Sequence, residues 1–129
     1  MRLRYVGGRP YITPANPHLT GWRTKLARAA RTYKGTTPRL TGPILIRLTF
    51  YMPRPAHHIA PDGSVFANAA ATPCRKPDLD KLVRAVFDAL TDAEVWGDDG
   101  QAVAVEARKV WADPSTQPGA QIELEPVEA

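Results

Sequence analysis

From Ile44 to Met52 the chain alternates strictly. Ile44, Ile46, Leu48, Phe50 and Met52 fall on one side, with Leu45, Arg47, Thr49 and Tyr51 on the other, the two-residue period of a strand with one buried face. A different rhythm governs Leu79 to Leu90, where Leu79, Leu82, Val83, Val86, Phe87 and Leu90 recur at helical spacing opposite Asp80, Arg84 and Asp88, which predicts an amphipathic helix. The same spacing links Trp22, Leu26, Ala29, Ala30 and Tyr33, so a helix is expected from Thr20 as N-cap to Gly35 as stop. Shorter apolar runs predict strands at Leu3 to Val6, Gln101 to Trp111 and Ile122 to Glu125, the last two as a hairpin across the Pro114 to Gly119 loop. Residues 9 to 19 are Pro-rich and read as irregular. The segment 53 to 77, with five prolines, is longer than an ordinary connection and reads as functional or mobile. The order β-α-β-α-β-β predicts one α+β domain over residues 1 to 129, a mixed sheet with two main helices packed on it.

Composition agrees with a folded domain, since 43% hydrophobic and 23% charged residues exclude a disordered basic tail. The placement of charge adds more. Residues 1 to 61 carry 11 Lys and Arg and no acid; residues 62 to 129 carry 6 bases and all 13 acids, so the halves stand at +11 and −7. A cationic half without carboxylates suits a phosphate backbone. No apolar run is long enough for a membrane span and no secretory leader is visible, so a cytoplasmic protein is expected. Cys74 is the single cysteine, in keeping with a reducing compartment.

The chemistry concentrates in Lys76-Pro-Asp-Leu-Asp80 and in Trp96-Gly-Asp-Asp-Gly-Gln101. Two carboxylates two residues apart diverge by about 200° within one helix, so Asp78 and Asp80 converge only if Asp78 precedes the helix. Pro77 favours that, placing Asp78 at the N-cap and Asp80 in the first turn, both near free backbone N–H groups. A turn carrying Asp98 and Asp99 returns toward the same helix. Three or four clustered carboxylates repel unless a cation neutralises them, and an all-oxygen set suits Mg²⁺, with Mn²⁺ as substitute, better than zinc. Such an ion with open positions is the recurring apparatus of phosphodiester hydrolysis. Taken singly, an Asp before a helix is most often a cap and an Asp-Asp-Gly most often a turn; their coincidence with a basic half points to a nuclease.

KPDLDKLVRAVFDAL followed by VWGDDGQAV resembles the signature of the RusA family of Holliday-junction resolvases, small endodeoxyribonucleases of bacteriophages and prophages, over about Lys76 to Val103. The resemblance implies a homodimeric, RusA-like α+β enzyme of the bacterial cytoplasm that nicks two opposing strands of a four-way or otherwise branched DNA with Mg²⁺ and no small-molecule cofactor. It places the metal aspartates on Asp78, Asp80 and Asp99 and the family's lysine on Arg84; Asp98, adjacent to Asp99, is kept as a fourth candidate metal ligand. The family's helix asparagine falls on Lys81. Arginine cannot titrate as an acid but can hold a phosphate or stabilise developing charge, and Lys81 can share that role.

Arg75 and Lys76 beside the aspartates, and Arg23, Arg28, Arg31 and Lys34 on the first helix, are the candidate nucleic-acid contacts. His57 and His58 lack a further His or Cys at ligand spacing and read as loop residues near phosphate. Asp88 reads as the i, i+4 partner of Arg84. Trp22, Trp96 and Trp111 read as core or interface aromatics, and Cys74 as incidental. The competing readings are a branched-DNA-binding protein without cleavage, a less selective metal-dependent nuclease, and a nucleotide-sugar transferase. The last leaves the basic half unexplained.

Overall fold

The computed structural model describes residues 2–5, 11–12, 21–113 and 118–128. Its elements follow the order β1 (Arg2–Tyr5), β2 (Tyr11–Ile12), α1 (Trp22–Lys34), β3 (Ile44–Met52), α2 (Leu79–Asp92), β4 (Ala102–Trp111) and β5 (Gly119–Pro126). The strands form one mixed sheet in the order β2-β1-β5-β3-β4. The expected α+β architecture is therefore present, with the short strand β2 added inside the stretch read as irregular.

β3 occupies the position its alternation demands. Its five even-numbered apolar residues are all buried, and both its edges are paired, to β4 in parallel and to β5 antiparallel. This corrects the expected hairpin. β4 and β5 do not pair; β3 lies between them, because a turn-rich loop between two apolar runs does not reveal which third strand fills the gap. Ala120, Ile122 and Leu124 of β5 extend the apolar face that β3 begins.

The helices cover that one face. α1 buries Trp22, Leu26, Ala29 and Ala30, and α2 buries Leu82, Val86, Ala89 and Leu90, the faces their spacing predicts. Trp22 meets Phe50 edge-on at 6.1 Å between ring centroids. Gly21, with φ 82, takes the N-cap position of α1; Thr20, the expected cap, the Val6 end of the first strand and most of the Pro114 to Gly119 loop lie outside the described residues. Gly35 does end the helix, at φ 54, with its N–H donating to the Arg31 carbonyl. Of the tryptophans, Trp22 and Trp96 are core residues, whereas Trp111 is half-buried. Among the described residues no helix is long and apolar enough to cross a membrane.

Phe50 is fully buried at the contact of β3 with α1. Phe50→Ala is expected to lower unfolding free energy by about 3–5 kcal/mol, read from urea denaturation followed by circular dichroism. A loss below about 1 kcal/mol would place the ring outside the core.

Candidate functional site

Parallel strands cannot be joined by a tight turn, so the chain between β3 and β4 must cross back over the sheet. It does so through the segment 53–78, helix α2 and a short 3-10 turn at Asp99–Gln101, and every carboxylate singled out from the sequence lies on this crossover. The long segment contains a 3-10 turn at Ala56–His58 and an isolated antiparallel bridge between Ile59 and Val65.

Asp78 stands at the N-cap position of α2 in an extended conformation, φ −71 and ψ 142, yet its side chain makes no capping hydrogen bond. Its Oδ2 instead lies 3.8 Å from the Lys81 Nζ. Asp80 is exposed in the first turn, where its Oδ1 accepts from the Lys81 backbone N–H at 3.0 Å. One turn further, and therefore on the same face as Asp80, Arg84 reaches off the helix and pairs with Asp99 Oδ2 at 3.2 Å. This corrects the pairing expected within α2: Arg84 is held by the turn before β4, and Asp88 faces Arg23 of α1 at 3.6 Å.

The two adjacent aspartates of the turn have different tasks. Asp98 is its N-cap, accepting from the Gly100 N–H and completing a capping box with Gln101. Asp99 is thereby left to face Arg84. Gln101 does more than close the box. Its Oε1 accepts from the Gly97 and Asp98 N–H groups at 2.7 and 3.1 Å, while its Nε2 donates to the Leu40 and Gly42 carbonyls at 3.0 Å each. The turn is thus tied to the segment that enters β3. Trp96, fully buried against Phe87, donates from Nε1 to Thr91 Oγ1 and anchors the other side.

Lys109 is a site residue that the sequence reading missed. It pairs with Phe50 in register, so it sits on the helix-bearing side of β4. There its Nζ donates to the Arg75 and Pro77 carbonyls at 2.7 and 3.0 Å, fixing the segment that delivers Asp78. The available signal was a cation within the period-two series Val105, Ala107, Lys109, Trp111, an otherwise apolar face.

The candidate nucleic-acid cations are distributed unevenly. Arg23 is engaged by Asp92 at 3.1 Å as well as by Asp88, and Arg31 donates to the Asp92 carbonyl at 3.3 Å. Arg28, Arg75 and Lys76 are exposed and Lys34 half-buried. Around the other end of the crossover, Arg54 lies 5.0 Å over the Trp111 ring and approaches His58 Nδ1 at 3.3 Å.

A family model for the RusA endodeoxyribonuclease matches residues 2–125. The chain belongs to the RusA endodeoxyribonuclease family. Membership gives a nuclease, with DNA as the substrate class. A search of curated protein sequences finds no match to the chain. For the divalent cation expected from the sequence, the donor set fits in kind: carboxylates only, at the N-terminal turn of α2 and beside its next turn. The spacing is open. Among the described residues no three His, Cys, Asp or Glu side chains are gathered closely enough to share an ion, and Lys81 and Arg84 stand as counter-charges to Asp78 and Asp99.

Lys109→Met should keep the core but release residues 75–78. Losing these hydrogen bonds is expected to cost about 1 kcal/mol and to speed amide exchange in the peptide covering 74–81, leaving α1 unchanged; equal protection in both proteins would remove the positioning role. His58 supplies a pH test. Burial, then the neighbouring His57 and Arg54, push its pKa below the usual 6.5, so the unfolded chain takes up the proton first. Stability should hold above pH about 6.5 and fall as pH drops through the lower folded value. Melting temperatures from pH 7.5 to 5 should show that decline in the wild type and a flatter curve in His58→Gln.

Proposed function

We propose that this protein is a Mg²⁺-dependent, structure-selective endonuclease that resolves four-way DNA junctions by paired nicks, acting as a homodimer. The observation that carries the reading is the family match across nearly the whole chain, coinciding with a carboxylate edge in which Asp78, at a helix N-cap, leaves the cap unmade.

In this reading Asp78, Asp80 and Asp99 would hold the cation, with Asp98 shaping the turn. Bound there, such a cation would supply a water of lowered pKa and would neutralise charge on the phosphate. The rest falls to the chain. Arg75 and Lys76, next to Asp78 in sequence, take the phosphates flanking the scissile link, and Arg28 and Lys34 extend the track. Arg84 and Lys81, which stand on the same exposed edge, would turn to the non-bridging oxygens of the phosphate, where a permanent guanidinium charge would stabilise the developing negative charge. Arginine does not donate the proton to the leaving 3′ oxygen, so that proton comes from water. The expected products are a 5′-phosphate and a 3′-hydroxyl.

Paired cuts need two sites, and a surface available for a second copy supports the dimer. Val105, in register with Ile46 and so on the helix-bearing face, is 48% exposed, and neighbouring Val103 is 62% exposed, an apolar strip on the edge strand. A more general nuclease remains the second reading of the same site, because nothing in the carboxylate edge itself distinguishes a branch from a duplex.

The decisive experiment presents a labelled four-way junction, a matched duplex and single-stranded DNA with Mg²⁺, with Ca²⁺ and Asp80→Asn as controls. Symmetric nicks confined to the junction are expected, and Asp78→Asn, Asp80→Asn and Asp99→Asn should each lower the rate on the order of 100-fold or more while junction binding holds or tightens. Cutting of all three substrates would leave a general nuclease; binding without cuts would make the chain a junction-binding protein.

A further inference from the structure

A cavity of about 440 Å³ opens where the segment 53–78 packs over the end of β4. Its wall includes Trp111, His57 and His58, with Cys74, Arg75 and Lys76 around it. The volume falls within the range of small-molecule sites, roughly 300–1,000 Å³, and is more than one planar heterocycle needs. The wall is built firmly: His58 meets the Trp111 ring edge-to-face at 5.3 Å, the Trp111 Nε1 donates to the Ala70 carbonyl at 2.9 Å, and Arg54 lies over that ring. Nothing in the carboxylate chemistry uses this cavity. It is nevertheless joined to the site along the chain, because Arg75 and Lys76 of its lining are separated from Asp78 by Pro77 alone.

An aromatic and apolar wall with cations at the mouth is the arrangement by which proteins hold an unstacked base and its phosphate. A peptide or lipid tail would leave the two rim cations without a counterpart, whereas a nucleotide supplies a flat ring and an anion at fixed separation. We propose that this cavity receives one unpaired nucleobase of the branched substrate, with the adjoining phosphate on Arg75 and Lys76, so that the link following it is presented to Asp78 and Asp80. The proposal rests on the junction-nuclease reading above and adds to it a subsite that sets where along an arm the cut falls. An open branch point offers such a base at low cost, while a continuous duplex must first be unstacked.

The test uses the full-length protein in Ca²⁺ and a set of junctions in which a single abasic sugar is moved through the positions flanking the branch. One position is expected to weaken binding by about 5- to 100-fold, the effect of losing one stacked base, with its neighbours near unity. Cys74, the single cysteine and exposed, provides a plug that needs no core substitution. Alkylation with N-phenylmaleimide should weaken the intact junction by the same factor and leave the critical abasic junction unaffected. At saturation the intact junction should protect the thiol and the critical abasic junction should not. Trp111→Ala should repeat the alkylation result, and if that variant fails to fold the thiol measurements stand alone. A junction that is bound and cut normally, with no abasic position mattering and Cys74 reacting at its free rate in the complex, would overturn the base pocket while leaving the nuclease reading intact. Absence of junction binding by the wild type would overturn both.

Discussion

The parallel pairing of β3 with β4 is the constraint from which the rest of the molecule follows. Two parallel neighbours oblige the chain to leave one end of the sheet and return to the other, and here that return journey consists of the 53–78 segment, α2 and the turn before β4. The apolar side of α2 packs against α1 and over β4, within the one core that also holds the apolar faces of β3 and β5, and its polar side is left facing outward with Asp80 and Arg84 upon it. Folding and chemistry are thus divided between two faces of one helix. Lys109 in β4 holds the stretch that leads into α2, and Gln101 just before β4 ties the turn that follows α2 to the segment entering β3.

The charge split has a structural counterpart. Part of the basic half is matched to the acidic half inside the fold: Arg23 meets Asp88 and Asp92, and Arg47 lies between Glu106 and Glu125. Around the carboxylate edge the second half supplies its own cations, Lys81 and Arg84. Exposed pairs of this type contribute about 0–1 kcal/mol each, little compared with the attraction of several carboxylates for a divalent ion or of a guanidinium for phosphate. They are stable enough to order the side chains and weak enough to be exchanged when a ligand arrives.

Local periodicity made β3 and both helices legible almost to the residue, because in each the core face repeats at the period of the element itself. It could not decide strand neighbours, which is why β5 was read against β4 when it pairs with β3 and β1; that choice depends on contacts far apart in sequence. The same division runs through the site. Asp78 and Asp80 were readable because Pro77 and the start of the apolar series fix the helix boundary. The Arg84 contact was misassigned to Asp88, since helical spacing makes that pair reachable but cannot reveal a carboxylate arriving from beyond the helix. Spacing alone does not separate Asp98 from Asp99, which only the resemblance ranks; the capping box shows that Asp98 is spent on the turn.

Gln101 carries a further consequence. A primary amide offers two acceptor lone pairs and two N–H donors, and all four are engaged here, across the turn and across the segment that leads into β3. No other side chain of that length combines both capacities: glutamate keeps the acceptors and loses the donors, and lysine does the reverse. Neutral Gln101 should therefore be nearly fixed, as little open to substitution as the charged residues beside it. An inactive variant recovered at this position would report a displaced Asp99 and a loosened sheet entry together, a lesion in architecture rather than in chemistry.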